Sequence, residues 1–361
     1  MFKNVDKIIG ILILIPLTIL VFLFSPKVIH GSKDENKEFL KAEIVSISNM
    51  SENIQNLELK LMEGEKKGSK VVVEEDNSNR LSKRNFEKDD KVIVSHDLKQ
   101  GVYYISDYDR TKVLFVLFLI FIGSILVVTG WRGIGAVLGL GFSFFVLFKI
   151  ILPFILGGIN PVWAVIAGSA LIVPGSYFAS HGLNKKTLIA IVGAMVILGI
   201  IGSVAFLLID FGNLTGLATE NVSYLSVGAI EKIDFRGLVL AGVILSMLGV
   251  LDDVAISQVS IVQQLKQAKE KIKFGELYRR SMSVGEDHIA SMVNTLVLVY
   301  AGASLPLLLL FVDYAEPFLK TITIEVIAEE VIRTMVGSIG LVLVVPVTTL
   351  LAVFYYSKKK A

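Results

Sequence analysis

The chain has 361 residues, 53% of them hydrophobic and 19% charged, with a formal net charge of +2. A mean hydropathy of +0.69 is more apolar than a soluble globular fold of this size needs, which makes the chain a polytopic membrane protein. The lack of cysteine excludes disulfides, thiolate metal sites and cysteine nucleophiles, and the four histidines (His30, His96, His181, His288) are scattered without metal-ligand spacing.

The first 28 residues read as an N-terminal transmembrane anchor. An apolar run from Ile8 to Phe24 follows Lys3 and Lys7, and the next residues, SPKVIHGSKDEN, offer no small-x-small cleavage site, so the segment is expected to be retained. Residues 33–110 then turn polar. KAEIVSIS (41–48), IQNLELKLM (54–62), SKVVVEE (69–75), DKVIVSH (90–96) and GVYYISDY (101–108) alternate apolar and polar residues between Gly, Asn, Asp and Lys clusters. That period of two predicts five short half-buried strands and a small β-barrel-like, OB-like domain between the first and second helices. Acidic and basic residues nearly balance there, which excludes a nucleic-acid surface.

Residues 111–361 read as a seven-helix membrane domain, because about 20 helical residues cross a hydrocarbon core of about 30 Å. The expected spans are Lys112–Thr129, Ile134–Leu152, Pro161–Ala179, Thr187–Ile209, Leu238–Leu251 extended through Asp252 and Asp253, His288–Phe311, and Val331–Tyr356. With the anchor this gives about eight. A cytoplasmic amphipathic connector, 254–285, joins the sixth and seventh spans. Lysine and arginine collect at Lys3, Lys7, Arg132, Lys185, Lys186, the 266–280 connector and Lys358–Lys360. The short alternate loops carry only Lys232, Arg236 and Lys320, and the last of them is acidic (Asp313, Glu316, Glu325, Glu329, Glu330). The expected topology therefore has both termini cytoplasmic and residues about 25–110 extracytoplasmic, in a cell membrane.

Polar residues stand out against this background. Ser246, Gly249, Asp253 and Ser257 share one helical face, as do Asp287, Ser291, Asn294 and Thr295 on the following span. A carboxylate at the bilayer centre costs about 2.5–3.5 kcal/mol, so it is seldom kept idly. Ser246, Asp252, Asp253, Ser257, Asp287, His288, Ser291 and Asn294 are the candidate ion or substrate path. Four of them also have a plainer reading: Asp253 as the N-cap of a cytoplasmic helix, Asp287 and His288 as a decorated helix N-terminus, Asn294 as interhelical glue. Asp252 and Asp253 point about 100° apart and are not expected to serve one site. Pro174-Gly175-Ser176 is expected to break its helix, and repeated glycines are expected to pack helices closely.

The segments LGVLDDVAISQVSIVQQL and VGEDHIASMVNTLVLVYAGASLPLLLLF resemble the YibE/F-like membrane protein family. DYDRTKVLFVLFLIFIGSILVVTGWRGIGAVLGL, LTGLATEN (214–221) and the β segment beginning KAEIVSI extend the resemblance over most of the chain. It implies a multi-span bacterial membrane protein and brings no substrate, reaction or catalytic residue.

The expectation is a transporter or permease for a small solute or ion, using a polar seam between the sixth and seventh spans. The alternative is a non-transporting scaffold or sensor whose outer β domain binds a partner or envelope ligand. No catalytic constellation, cofactor motif or metal motif is found. The expected partners are membrane lipids and the unidentified solute, without nucleic acid, and homo-oligomerisation stays open.

Overall fold

The computed structural model describes residues 2–24, 36–49, 54–76, 85–218, 233–313 and 317–358. The stretch expected to lack a cleavage site (25–35), residues 219–221 of the LTGLATEN segment, and Lys232, Glu316, Lys359 and Lys360 lie outside it. The chain divides into two compact units, His30–Val127 and Met1–Ile29 with Val128–Ala361.

The smaller unit holds the five expected strands: β1 Lys37–Asn49, β2 Ile54–Leu61, β3 Lys70–Asp76, β4 Lys91–Asp97 and β5 Val102–Tyr108. All neighbours are antiparallel, in the order β3-β2-β1-β4-β5, and β3 and β5 also approach one another. Register shifts between Ile44 and Ser46 and between Ile93 and Val94 supply the bulges that let the sheet curl. The alternation then becomes a core: Leu40, Ala42 and Ile44 of β1 meet Leu57, Leu59 and Leu61 of β2, with Val92, Val94 and Phe86 closing it. Each such Leu, Ile or Val contributes about 1.5–3 kcal/mol on burial. The same unit takes in most of α2 (Thr111–Thr129), whose start is capped by Asp109 accepting from Thr111 N at 2.9 Å.

The larger unit is a helical bundle. It comprises α1 (Phe2–Phe24), α3 (Trp131–Val146), α4 (Leu152–Leu156), α5 (Pro161–His181), α6 (Lys185–Phe211) and α7 (Phe235–Ala268). It continues with α8 (Phe274–Ala303), α9 (Leu305–Asp313), α10 (Phe318–Ile322) and α11 (Glu325–Lys358). A π-turn, Leu147–Ile151, joins α3 to α4. Pro153 has no N–H to give the carbonyl four residues back, so widening the turn there costs little. Among the described residues, six helices are long and apolar enough to cross a membrane: α2, the run from Gly133 to Leu156, α5, α6, α7 and α11. The apolar part of α1, Gly10–Phe22, is shorter.

Glycine sets the helix spacing, since lipid offers helices no hydrophobic incentive to associate. A Cβ at Gly135 would strike the Ala179 carbonyl, and one at Gly139 would lie 3.2 Å from Ser176 Cα, so α3 rests directly on α5. Gly193 of α6 receives Thr348 of α11 in the same way, and Gly340 of α11 receives Met247 of α7.

Four expectations need correction. Pro174 does not break its helix: α5 runs unbroken from Pro161 to His181, and Gly175 instead makes room for the Phe142 ring. No separate amphipathic helix begins at Val254, because α7 is continuous for 34 residues and Asp253 is not an N-cap. The connector proper is short, from Lys269 to Lys273, where the Lys269 and Arg280 side chains hold Glu276 at 3.0 and 2.8 Å. The seventh span does not run from His288 to Phe311, since α8 starts at Phe274 and stops at Ser304 ahead of Pro306. A residue preceding proline by two ends a helix readily, because Pro306 cannot continue the donor ladder.

Candidate functional site

Helices α3, α5 and α7 line a half-open cavity of about 860 Å³. The α7 wall is Leu245, Leu248, Gly249, Asp252 and Asp253, spaced i, i+3, i+4, i+7, i+8. The α5 wall ends in Ser176, Ser180 and His181, and α3 adds Ser143 among apolar side chains. Polar groups therefore gather toward the end of the cavity where α5 finishes.

Asp252 is the cavity-lining carboxylate with an unsatisfied oxygen. It is half-buried, and its Oδ1 is shielded from solvent with no hydrogen-bond partner. Behind it on α5 is Tyr177, 1% exposed, whose hydroxyl is likewise without a partner and within electrostatic range of both aspartates. A buried polar atom left unpaired costs about 1–3 kcal/mol, more for a charged group. Of the two residues, only Asp252 lines the cavity, where a ligand can reach its carboxylate.

The other predicted residues divide. Asp253 is exposed at the rim of the same cavity, so both aspartates border one chamber, contrary to expectation. The cavity is wide enough to take in the 100° arc between them. Ser246 and Ser257 are half-buried but do not line it, and Ser246 Oγ donates to Val243 O at 2.8 Å. The face that meets the cavity is thus turned by about one residue from Ser246-Gly249-Asp253-Ser257.

Asp287, His288, Ser291 and Asn294 are not brought to Asp252. α8 packs on α7 and α11 through Leu277, Ser281, Gly285 and Leu296, while Asp287, Ser291 and Asn294 are exposed and His288 is half-exposed. The two seams lie on different surfaces of the bundle.

A second polar centre escaped the sequence reading. Gln258 of α7 is 1% exposed, and its Nε2 donates to Ser281 O of α8 at 2.9 Å and to Thr349 Oγ1 of α11 at 2.7 Å. Gly285 presses against the same amide, so three helices are tied at one point. Gln258 falls within the stretch expected to form the amphipathic connector, 254–285. It lies four residues after Val254 and three after Ala255, both apolar in the sequence and buried in the fold.

At the opposite end of the bundle, Thr215 N and Oγ1 and Gly216 N donate to the Glu325 carboxylate, which pins the LTGL loop to α11. Gly216 has φ +75°, a conformation that suits glycine alone at that turn. Among the described residues, no three His, Asp or Glu side chains come together as a metal site.

A family model described as YibE/F-like protein matches residues 117–358, from within α2 to the end of α11. No curated protein and no solved structure matches the chain.

Proposed function

This chain belongs to the YibE/F-like family, and we propose that it is a permease for a small cation or protonatable solute, with the α3/α5/α7 cavity as its binding chamber. The observation that carries this is the shielded, unpartnered Asp252 Oδ1 on the wall of a cavity of about 860 Å³. A carboxylate in an apolar bundle is costly, and a cation or proton that visits it removes the cost. Asp252 binds, Asp253 at the rim draws cations in, and Ser176, Ser180 and His181 supply the remaining donors and acceptors.

The basic residues at the α5–α6 turn, in the α7–α8 connector and after α11 support a topology with both termini cytoplasmic and residues about 25–110 outside a bacterial cell membrane. The strand order, with β3 against β5, supports an OB-like barrel for that outer domain.

Reconstitution tests the permease reading. Wild-type proteoliposomes under an imposed pH or sodium gradient are expected to carry an ion flux that Asp252→Asn abolishes, while Asp287→Asn, on the far surface, retains it. Absence of flux under every gradient would overturn the reading.

One feature favours the scaffold or sensor alternative. Phe39, 62% exposed, and Tyr104, 51% exposed, flank Ser95 across β1, β4 and β5 on the outer sheet face. Under that reading, deletion of 33–106 abolishes function and substitutions at Asp252 are mild.

A further inference from the structure

At the lysine-bearing end of the bundle, α6 and α11 form a second groove of about 570 Å³ with a different character. Each helix contributes one face at i, i+3, i+4, i+7: Lys185, Leu188, Ile189 and Val192 from α6, and Leu351, Phe354, Tyr355 and Lys358 from α11. Both lysines stand at helix ends and both reach over an aromatic ring. Lys185 Nζ lies 5.9 Å from the centre of Tyr355, and Lys358 Nζ lies 3.9 Å from that of Phe354. Among the described residues neither ammonium is paired with a carboxylate. One residue beyond Val192, the Gly193–Thr348 contact draws the two helices together.

We propose that this groove is a binding site for one anionic phospholipid, with its phosphate between Lys185 and Lys358 and an acyl chain along Leu188, Val192 and Leu351. Charge complementarity argues for the occupant: two cations on separate helices face the same opening, above an apolar wall two turns deep. A free phosphate would use the lysines and leave that wall bare. An uncharged lipid would cover the wall and leave the ammonium groups without a counterion. The exposure of Leu188 (47%), Val192 (52%) and Phe354 (54%) on the flank of a membrane helix pair is what an acyl chain covers. The sequence continues with Lys359 and Lys360, adding charge at the same terminus. The site is remote in residue composition from the Asp252 cavity and does not depend on the transport reading.

Native mass spectrometry of the full chain in detergent tests it, with phosphatidylglycerol and phosphatidylcholine of identical acyl chains as probes. Wild type is expected to retain a first phosphatidylglycerol in preference to phosphatidylcholine. Removing each lysine should cut that preference about fivefold, so Lys185→Gln with Lys358→Gln abolishes it. Val192→Trp, which fills the groove from an exposed position and leaves both lysines in place, should also lose the retained lipid. Lys271→Gln with Lys273→Gln in the connector should keep it. Equal retention of both lipids by wild type overturns the proposal, as does a preference that survives the Lys185/Lys358 double change or the Val192 change. Equal loss in the connector variant would make the effect one of diffuse charge and overturn the site. Displacement of the lipid by inorganic phosphate would make it an anion site and overturn the lipid assignment.

Discussion

Two polar residues stand less than two turns apart on α7 and meet opposite fates. Gln258 is enclosed where α7, α8 and α11 touch; its amide nitrogen is bonded to both neighbours, while its Oε1 is buried without a partner. Asp252 lies beside a cavity with a shielded oxygen that nothing satisfies. Both interrupt an apolar helix, and both are costly to bury. The difference is what surrounds the unpaired oxygen. Gln258 is sealed among three helices that its Nε2 ties together. Asp252 borders a cavity, where a ligand can reach the carboxylate.

The glycines repeat the contrast. Gly285, at the Gln258 joint, has no space for a methyl group because Val345 and the Gln258 amide occupy it. Gly249, on the cavity wall beside Asp252, has nothing within contact distance. One region is packed to the limit and the other is kept empty.

The largest loss of stability should follow Gln258→Ala. It removes two interhelical bonds and leaves a void among three helices, an expected cost of about 2–4 kcal/mol in thermal or denaturant unfolding in detergent. Gln258→Met, which keeps most of the volume, isolates the hydrogen-bond part at about 1–2 kcal/mol. If Gln258→Ala unfolds with the wild-type midpoint, the joint is not holding α8, and the comparison fails.

Next come the glycines. Gly285→Ala should destabilise by about 1–3 kcal/mol through overpacking, whereas Gly249→Ala should be neutral or stabilise by up to about 1 kcal/mol through helix propensity. Paired unfolding curves check the sign of each. A destabilising Gly249→Ala would mean that the cavity wall is as tightly packed as the joint.

The smallest effect concerns the connector that leads into the joint. The Lys269 ammonium, with Arg280 beside it, holds the Glu276 carboxyl below the usual glutamate range. A carboxyl depressed in the folded state stabilises fully above its unfolded value of about 4.3, and that contribution is lost as pH falls through the lower folded value. Amide exchange at 269–277 should therefore quicken as pH drops below about 4 after correction for intrinsic rates, and Glu276→Gln should remove that pH dependence. The pair is exposed, so the protection around Gln258 should not change with it.

Much of the architecture was legible because its signals are local. The alternation in KAEIVSIS or DKVIVSH needs only the next residue but one to define a strand, and β1 and β4 fall within a few residues of those runs. The apolar length of 238–251 and the absence of a helix stop at Asp252 and Asp253 carried the expected span through Asp253, but the helix beyond it was read as separate, whereas α7 runs on unbroken to Ala268. The direction of each polar face was not legible. Asp287, Ser291 and Asn294 share a face by arithmetic, but whether that face meets α7 or the exterior depends on where Gly285 and Leu296 dock, which is a tertiary matter. Gln258 was hidden for the same reason. A buried amide and a solvated one have the same letter, and only the positions of Ser281 and Thr349 distinguish them. His181 belonged to no motif and reached the cavity because α5 stays intact past Pro174.

The most direct test of the central contrast measures flux and stability together for Asp252→Asn and Gln258→Ala, with proteoliposome flux normalised to folded protein. The account predicts a crossing: Asp252→Asn unfolds within about 1 kcal/mol of wild type but carries no flux, whereas Gln258→Ala is less stable yet carries normal flux per folded molecule. Normal flux in Asp252→Asn, with its loss in folded Gln258→Ala, would contradict the account and move function to the joint.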